Sequence, residues 1–476
     1  MYVGGAWTGS ESGAVMEATS PATGETIGTV PEGTREDARG AIAAANAAAR
    51  EWASRSAFER AEAMLRVAEA VEARRDDLAR MLTLDQGKPL RAEAYDEVDE
   101  LAAYWRNAAA DATRLEGGMP PSVDAAKRIL AYRVPRGVVG AITPWNWPYT
   151  MPAEVVAPAL ASGNAVVWVP APSTSVSAVA LAECVAEAEL PAGVFNLVTG
   201  PGAEVGDEVA SNPGTQAIAF IGSIATGRRV AERAAGKAQL LEMGGNGPVV
   251  VLDDADLDAA VEATLSAAFL CAGQSCTAGE LFLVHEAVHG EFVDRLASRV
   301  TADVRLGDPF EDETTMGPLN NEPTAAKMER HVGDAVARGA EVLVGGGRAD
   351  GFPTRLYYEP TVIDRVTGEM EVAREETFGP VVPIRSIRSE DEALAAIDAA
   401  PYGLLASVFT RDLARGLRFA EAARVGWVNV NESSNYWESH LPFGGRASSE
   451  SGLGRVGGRH PFETFTELKT VVLNLG

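Results

Sequence analysis

The chain is poor in cysteine, short of basic charge and without long apolar runs, and each shortage removes a class of function. Only three cysteines occur, Cys184, Cys271 and Cys276. They form no CxxC pair and no zinc-ligand spacing, and an odd number does not build a disulfide framework, so a reducing cytoplasm is the expected setting and no metal site is expected. Lys and Arg total 41 against 67 Asp and Glu, a formal charge of −26. Such a surface repels phosphate backbones and anionic bilayers, so neither nucleic acid nor a membrane is an expected partner. No stretch is long and charge-free enough to cross a bilayer, and Met1 to Ser12 lacks the basic-then-apolar order of a secretory signal. The five histidines, His285, His289, His331, His440 and His460, occupy no recognisable Cys–His arrangement, which argues against a cysteine hydrolase.

What is present is ordinary globular composition, 46% hydrophobic and 23% charged, over 476 residues. That length exceeds one compact core and predicts two or three domains with a cleft between them. From Arg35 to Ala112 apolar residues recur at helical spacing, among them Ala63, Leu65, Val67, Ala70, Val71 and Leu78. Gly117, Gly118, Pro120 and Pro121 then break the pattern, and Arg128 to Val134 alternates as a strand, so this stretch reads as a protruding arm or hairpin. Short β-branched runs follow at Val138 to Ile142, Ala165 to Val169, Val194 to Val198, Ala217 to Ile221 and Pro248 to Leu252, separated by helical segments. The alternation predicts a parallel, doubly wound α/β sheet. A second α/β region is expected from Leu257 to Asn431, with strands such as Leu281 to His285 and Ala406 to Phe409 and helices such as Val288 to Val300 and Asp391 to Ala399.

Four segments carry groups with chemistry in them. Gly273-Gln274-Ser275-Cys276 lies between a helical stretch and a strand, a turn whose exposed N–H groups suit a thiolate or an oxyanion; the plainer alternative is a buried, inert cysteine. Glu242 stands alone among apolar residues and glycines at the end of a strand, either as a general base of raised pKa or as a solvated strand-end carboxylate. Asn146, in Thr143-Pro144-Trp145-Asn146-Trp147-Pro148, follows the carboxyl end of a strand, where α/β sheets place ligands; an Asx turn is the alternative. Phe220 to Gly227 joins a strand to a helix whose N-terminus suits a pyrophosphate, whereas Gly200-Pro201-Gly202 with Gly206 has the wrong spacing for a dinucleotide fingerprint and reads as a loop.

Taken together, in this order and over nearly the whole chain, these segments resemble the aldehyde dehydrogenase superfamily. The resemblance also rests on Glu375-Glu376-Thr377-Phe378-Gly379-Pro380, on Pro442-Phe443-Gly444-Gly445 and on the separation of 34 positions from Glu242 to Cys276. It implies two doubly wound parallel-sheet domains plus a small oligomerisation arm, with residues 1–117 and 137–244 binding the dinucleotide, 245–443 carrying the catalytic domain, and 118–136 with 456–476 serving oligomerisation. It further implies that Cys276 is the nucleophile, Asn146 an oxyanion donor and Glu242 the base that hydrolyses the thioester. Trp145, Gly222, Ser223, Glu376 and Phe378 would position the cofactor, and Trp147, Ser275, Thr277, Tyr436 and Trp437 would line the substrate tunnel. The partner is then a small-molecule aldehyde, and the assembly a homodimer or homotetramer.

Two departures bear on specificity. Where the family carries a Lys and an acidic residue for the adenosine ribose, this chain has Val169-Pro170-Ala171-Pro172. With no basic replacement in that segment NAD is favoured over NADP, although Arg228 or Arg229 would attract a 2′-phosphate if they reach it. Near the C-terminus an insertion, Arg446 to Ser451, precedes Gly452-Leu453-Gly454-Arg455-Val456-Gly457-Gly458 and resembles the benzaldehyde-type branch. An aromatic or medium-size apolar aldehyde is therefore expected. An anionic semialdehyde is the alternative, with Arg446 and His440 as its expected anchors. A CoA-acylating enzyme would lack the base, and a non-catalytic scaffold of the same family would bind neither dinucleotide. Cys271, five positions before the nucleophile, is a candidate for an inactivating disulfide.

Overall fold

The computed structural model describes residues 1–446 and 448–476; Ala447, inside the expected insertion, lies outside them. The N-terminal third is helical because its apolar residues recur on one face and its helix starts are well capped. Arg35–Ser54 opens on a capping box in which Thr34 and Asp37 satisfy each other's backbone N–H groups, and Ala57–Ala73 opens on a second, Ser56 with Glu59. Arg75–Gln86, Leu90–Ala94 and Tyr95–Ala112 complete the layer. Ala63, Val67, Val71 and Leu78 are buried as expected, but Leu65 lies on the exposed face.

The first sheet has eight strands in the order Gly452–Leu453, Ala238–Met243, Ala217–Gly222, Val138–Ile142, Ala165–Val169, Phe195–Leu197, Tyr2–Val3, Ala6–Trp7. The five from Ala238–Met243 to Phe195–Leu197 run parallel, and the outer ones are antiparallel. Its parallel strands are largely apolar because helices cover both faces; every residue of Ala165–Val169 is buried, and Asn196, Gln239 and Glu242 are the polar residues of the five strands. Each such side chain contributes about 1.5–3 kcal/mol of burial. Val138–Ile142, first of the five in sequence, sits centrally, so successive connections leave it in opposite directions. The crevice at the carboxyl ends of Val138–Ile142 and Ala217–Gly222 is the topological switch point where such sheets bind ligands.

The second sheet runs Glu341–Val344, Thr361–Asp364, Val381–Ile387, Leu281–His285, Pro248–Val251, Leu405–Phe409, Trp427–Val430, parallel except at the first pair. Pro248–Val251, whose apolar run continues the first set of strands in sequence although the resemblance places it in the catalytic domain, is the fifth strand of this sheet, next to the central Leu281–His285. The arm is a two-stranded ribbon in which Lys127–Pro135 pairs antiparallel with Thr466–Asn474 over nine residue pairs. Within the stretch 456–476 expected to serve oligomerisation, Val456, Phe462 and Phe465 also pack into the first core. Three further differences are local. Gly202–Gly206 is a wide helical turn leading into Asp207–Ser211 rather than a loop. Strands at Tyr2–Val3 and Val15–Thr19 precede the first helix. The strand expected at Val194 to Val198 shortens to Phe195–Leu197.

Candidate active site

Two chambers meet between the sheets. The larger, about 410 Å³, lies against the Tyr95–Ala112 helix; the smaller, about 170 Å³, opens at the switch point of the first sheet. Met151, Glu242 and Cys276 line both.

Cys276 reaches this junction because the chain after the helix Leu257–Phe269 makes a left-handed excursion, with φ near 54° at Cys271, 52° at Ala272 and 71° at Gly273. Only glycine fits at 273, where a Cβ would stand 2.2 Å from the Gly379 carbonyl. The turn leaves the Cys276 N–H without a backbone acceptor among the described residues. Cys271 does not share the cavity: its thiol is buried, accepts from Gln86 at 3.3 Å, donates to the Asn146 carbonyl at 3.5 Å, and burial pushes its pKa to about 12.

Glu242 arrives on the strand Ala238–Met243, in register with Ile221 on one side and Gly452 on the other. Burial raises its carboxyl to about 8, against a smaller lowering by the facing Cys276 thiol and a further rise from the Glu376 charge. One carboxyl oxygen, Oε1, has no hydrogen-bond partner among the described residues. Burial, then the Glu242 charge, likewise lift the Cys276 thiol well above its ordinary value. Asn146, buried after the strand Val138–Ile142, lines the smaller chamber together with Cys276.

That chamber is also lined by Trp145, Gly222, Ser223, Glu376 and Phe378, so all five residues expected around the cofactor come together. A Cβ at Gly244 would lie 2.0 Å from Glu376 Oε1 and displace that carboxylate, and the same oxygen accepts the Gly245 N–H at 3.2 Å. Phe378, at φ 58°, meets the Trp145 ring edge-on at 5.6 Å. The helix Ile224–Arg233 starts at Ser223 with no side chain capping its first N–H groups; the Ser223 hydroxyl donates to Thr226 instead. Free N–H groups at a helix start, beside a carboxylate and two rings, fit the pyrophosphate and ribose of a dinucleotide.

Sequence reading missed several residues here. Glu280, fully buried, accepts the N–H groups of Thr377 at 2.6 Å and Phe378 at 2.8 Å and so holds that strained segment. Thr324 and Lys327, from the helix Glu322–Ala337, complete the smaller chamber. Glu93, Asp96, Glu97, Glu100 and Tyr104 line the larger one. Their spacing along a helix was legible, but a polar helical face ordinarily meets water, and nothing local tells a cavity from solvent.

Of the residues expected in the substrate tunnel, Trp147, Ser275, Thr277 and Trp437 line the larger chamber. Tyr436 does not: it is 45% exposed and hydrogen-bonds Glu438. The segment turns Asn435 and Trp437 inward, so the residue between them faces out. His440, paired with Glu438, and Arg446 are also absent from the lining. The expected anchors of an anionic substrate are therefore not there.

The family model for the aldehyde dehydrogenase family matches residues 7–471. The chain belongs to the aldehyde dehydrogenase family. It is 38% identical to the succinate-semialdehyde dehydrogenase (NADP(+)) of Escherichia coli, covering 99% of this chain and 97% of that one. It is 39% identical to a glutarate-semialdehyde dehydrogenase of Pseudomonas putida, covering 100% and 97%. Among solved structures, the betaine aldehyde dehydrogenase of Staphylococcus aureus in complex with NAD+ superposes with a TM-score of 0.96 at 33% identity, covering 100% of this chain and 95% of that one. The α/β architecture is that of the aldehyde dehydrogenases, and the protein is an NAD(P)-dependent enzyme of that kind. Among the described residues no helix is long and apolar enough to cross a membrane.

Proposed function

We propose that this aldehyde dehydrogenase oxidises its aldehyde through a thioester on Cys276 that water hydrolyses with Glu242 as base. The observation that carries this reading is the meeting of the two chambers at Cys276 and Glu242. The Cys276 sulfur attacks the aldehyde carbon, its proton passes to the Glu242 carboxylate, and the carbonyl oxygen becomes an oxyanion. The Asn146 amide and the Cys276 N–H are placed to donate to that oxygen. The smaller chamber, with Trp145, Gly222, Ser223, Glu376 and Phe378 on its walls, would hold a nicotinamide dinucleotide, which would supply the hydride acceptor for the same carbon. The C=O re-forms as a thioester. Glu242, having released the Cys276 proton to solvent, then takes a proton from water as the new C–O bond forms and the C–S bond breaks, releasing the acid and the free sulfur.

The family's CoA-acylating chemistry has no use for a base at this junction, and Glu242 supports hydrolysis. As cofactor we infer NAD. The basic side chains that follow Gly222 are occupied: Arg228 pairs with Glu450, and Arg229 and Arg233 both pair with Asp207, at 3.3 and 3.0 Å. Each would have to give up or share its carboxylate partner to meet a 2′-phosphate. The relatives' names favour a short, charged aldehyde over the aromatic one expected from the Arg446 to Ser451 insertion. The exposed Leu468, Val472 and Leu473 on the arm support a homo-oligomer built on that ribbon, because a lone two-stranded ribbon is marginal in water.

The test is turnover of an aldehyde panel with NAD and with NADP, followed as reduced cofactor, beside Cys276→Ala. Turnover abolished in the variant and at least about tenfold higher kcat/KM with NAD supports the reading. Persistent turnover in the variant refutes the nucleophile, and a preference for NADP refutes the cofactor assignment.

A further inference from the structure

The larger chamber has a sign. Five carboxyl groups besides Glu242 line it, those of Glu93, Asp96, Glu97, Glu100 and Glu154, and no Arg, Lys or His among the described residues does. Two of them are satisfied within the protein. Glu97 pairs with Lys88 at 2.5 Å and accepts the Tyr149 N–H, and Glu154 accepts the Tyr104 hydroxyl. Lys88 offers nothing to an anion in the cavity: it is fully buried, with its ammonium held between Glu97 and one face of the Trp147 ring, 3.1 Å from the centroid.

The other three have unspent acceptor capacity. Glu93 is 4% exposed, its Oε1 takes the Cys271 N–H, and its Oε2 has no partner among the described residues. A buried carboxyl oxygen without a donor, on the wall of a cavity, lacks a cation or a donor that a ligand can bring. Asp96 and Glu100 stand beside it along the helix, on the same face as Tyr104. Opposite them the Trp437 ring meets Phe443 edge-on at 4.9 Å, so aromatic surface and carboxylates enclose one volume. Carboxylates together with ring faces are the two surfaces that attract a weakly hydrated ammonium group.

We propose, resting on the reading of the site as an aldehyde-oxidising one, that the substrate is an aldehyde whose far end carries a cationic ammonium group. Asp96, Glu100 and the Trp437 ring receive the cation, while the aldehyde end lies at Cys276. A carboxylate-ended semialdehyde meets three acidic groups and no cation. The substrates named for the Escherichia coli and Pseudomonas putida relatives are then poor ones here, in spite of the sequence identity.

The test compares kcat/KM, at physiological ionic strength, for 4-(trimethylammonio)butanal, its uncharged isostere 5,5-dimethylhexanal, and succinate semialdehyde. The cation is expected to exceed the isostere by about tenfold and the anion by about a hundredfold. Glu100→Gln should shrink the cation-to-isostere ratio severalfold, and binding of unreactive butyltrimethylammonium, read by calorimetry without turnover, should weaken in parallel. Equal kcat/KM for cation and isostere, or preference for succinate semialdehyde, overturns the inference while leaving the aldehyde oxidation intact. If no aldehyde is oxidised but butyltrimethylammonium binds and Glu100→Gln weakens it, the catalytic reading falls and the cation subsite stands. No calorimetric binding overturns the subsite.

Discussion

Replacing Glu242 by Gln separates the two halves of the proposed reaction. The substitution is nearly isosteric, and the Oε1 position makes no hydrogen bond to any described residue, so it breaks no contact there. What it removes is a base whose carboxyl burial has lifted to about 8. A positioned general base contributes about 10²- to 10⁴-fold, so steady-state turnover should fall by that factor. In the variant the Cys276 proton passes to solvent instead of to Glu242, which slows thioester formation but leaves it possible at pH 9. Rapid mixing of the variant with aldehyde and NAD at that pH should therefore give a burst of one reduced cofactor per active site, followed by near silence, and intact mass should show an acyl group on Cys276. In the unsubstituted enzyme the ionised fraction of a carboxyl near 8 rises about tenfold from pH 7 to pH 9. Hydrolysis should rise with it, and this limb should vanish in the variant. A variant that keeps normal turnover refutes the role assigned to Glu242, and one that shows neither burst nor adduct at pH 9 places its main effect on the attack of Cys276 and not on hydrolysis.

Three further outcomes are expected. Burial raises the Glu93 carboxyl from its ordinary 4.5 to about 7, so its ionisation costs the folded state about 3 kcal/mol, absent at pH 5 and present at pH 9; Glu93→Gln should raise Tm at pH 9 more than at pH 5, and an equal effect at both refutes it. Trp105→Ala, at a fully buried position of the first core, should cost about 3–5 kcal/mol in denaturant unfolding, and a loss below 1 kcal/mol would show that the core collapses around the gap. Leu468→Asp with Val472→Asp, on the exposed side of the ribbon, should reduce the mass seen by light scattering, and an unchanged mass would remove the ribbon from the interface.

Much of the protein was legible because its signals are local. The strands Val138–Ile142, Ala165–Val169 and Leu281–His285 have the bounds their apolar runs predict, since a strand covered on both faces must be apolar throughout. Asn146, Glu242 and Cys276 could be singled out because each lies at a break between elements, where side chains turn toward a crevice. The two-residue strand Tyr2–Val3 and the pairing of Gly452 with Glu242 carry no such mark, because they depend on backbone hydrogen bonds to partners far away in sequence. Tyr436 was misread for a related reason: neighbouring aromatics look alike in sequence, and only the turn decides which one faces in.

By itself, then, the sequence determined the class of fold and the order of its units, which follow from periodicity and breaks along the chain, while the roles proposed for Cys276 and Glu242 come from the resemblance to the family. Tertiary structure decided the membership of Pro248–Val251 in the second sheet, the meeting of two chambers at one thiol, and the sign of the substrate chamber. The stripe Glu93, Glu97, Glu100 and Tyr104 has the same spacing whether it faces water or a closed cavity. Charge exposed to solvent is screened and contributes little, whereas the same carboxylates enclosed beside Cys276 select what can approach it.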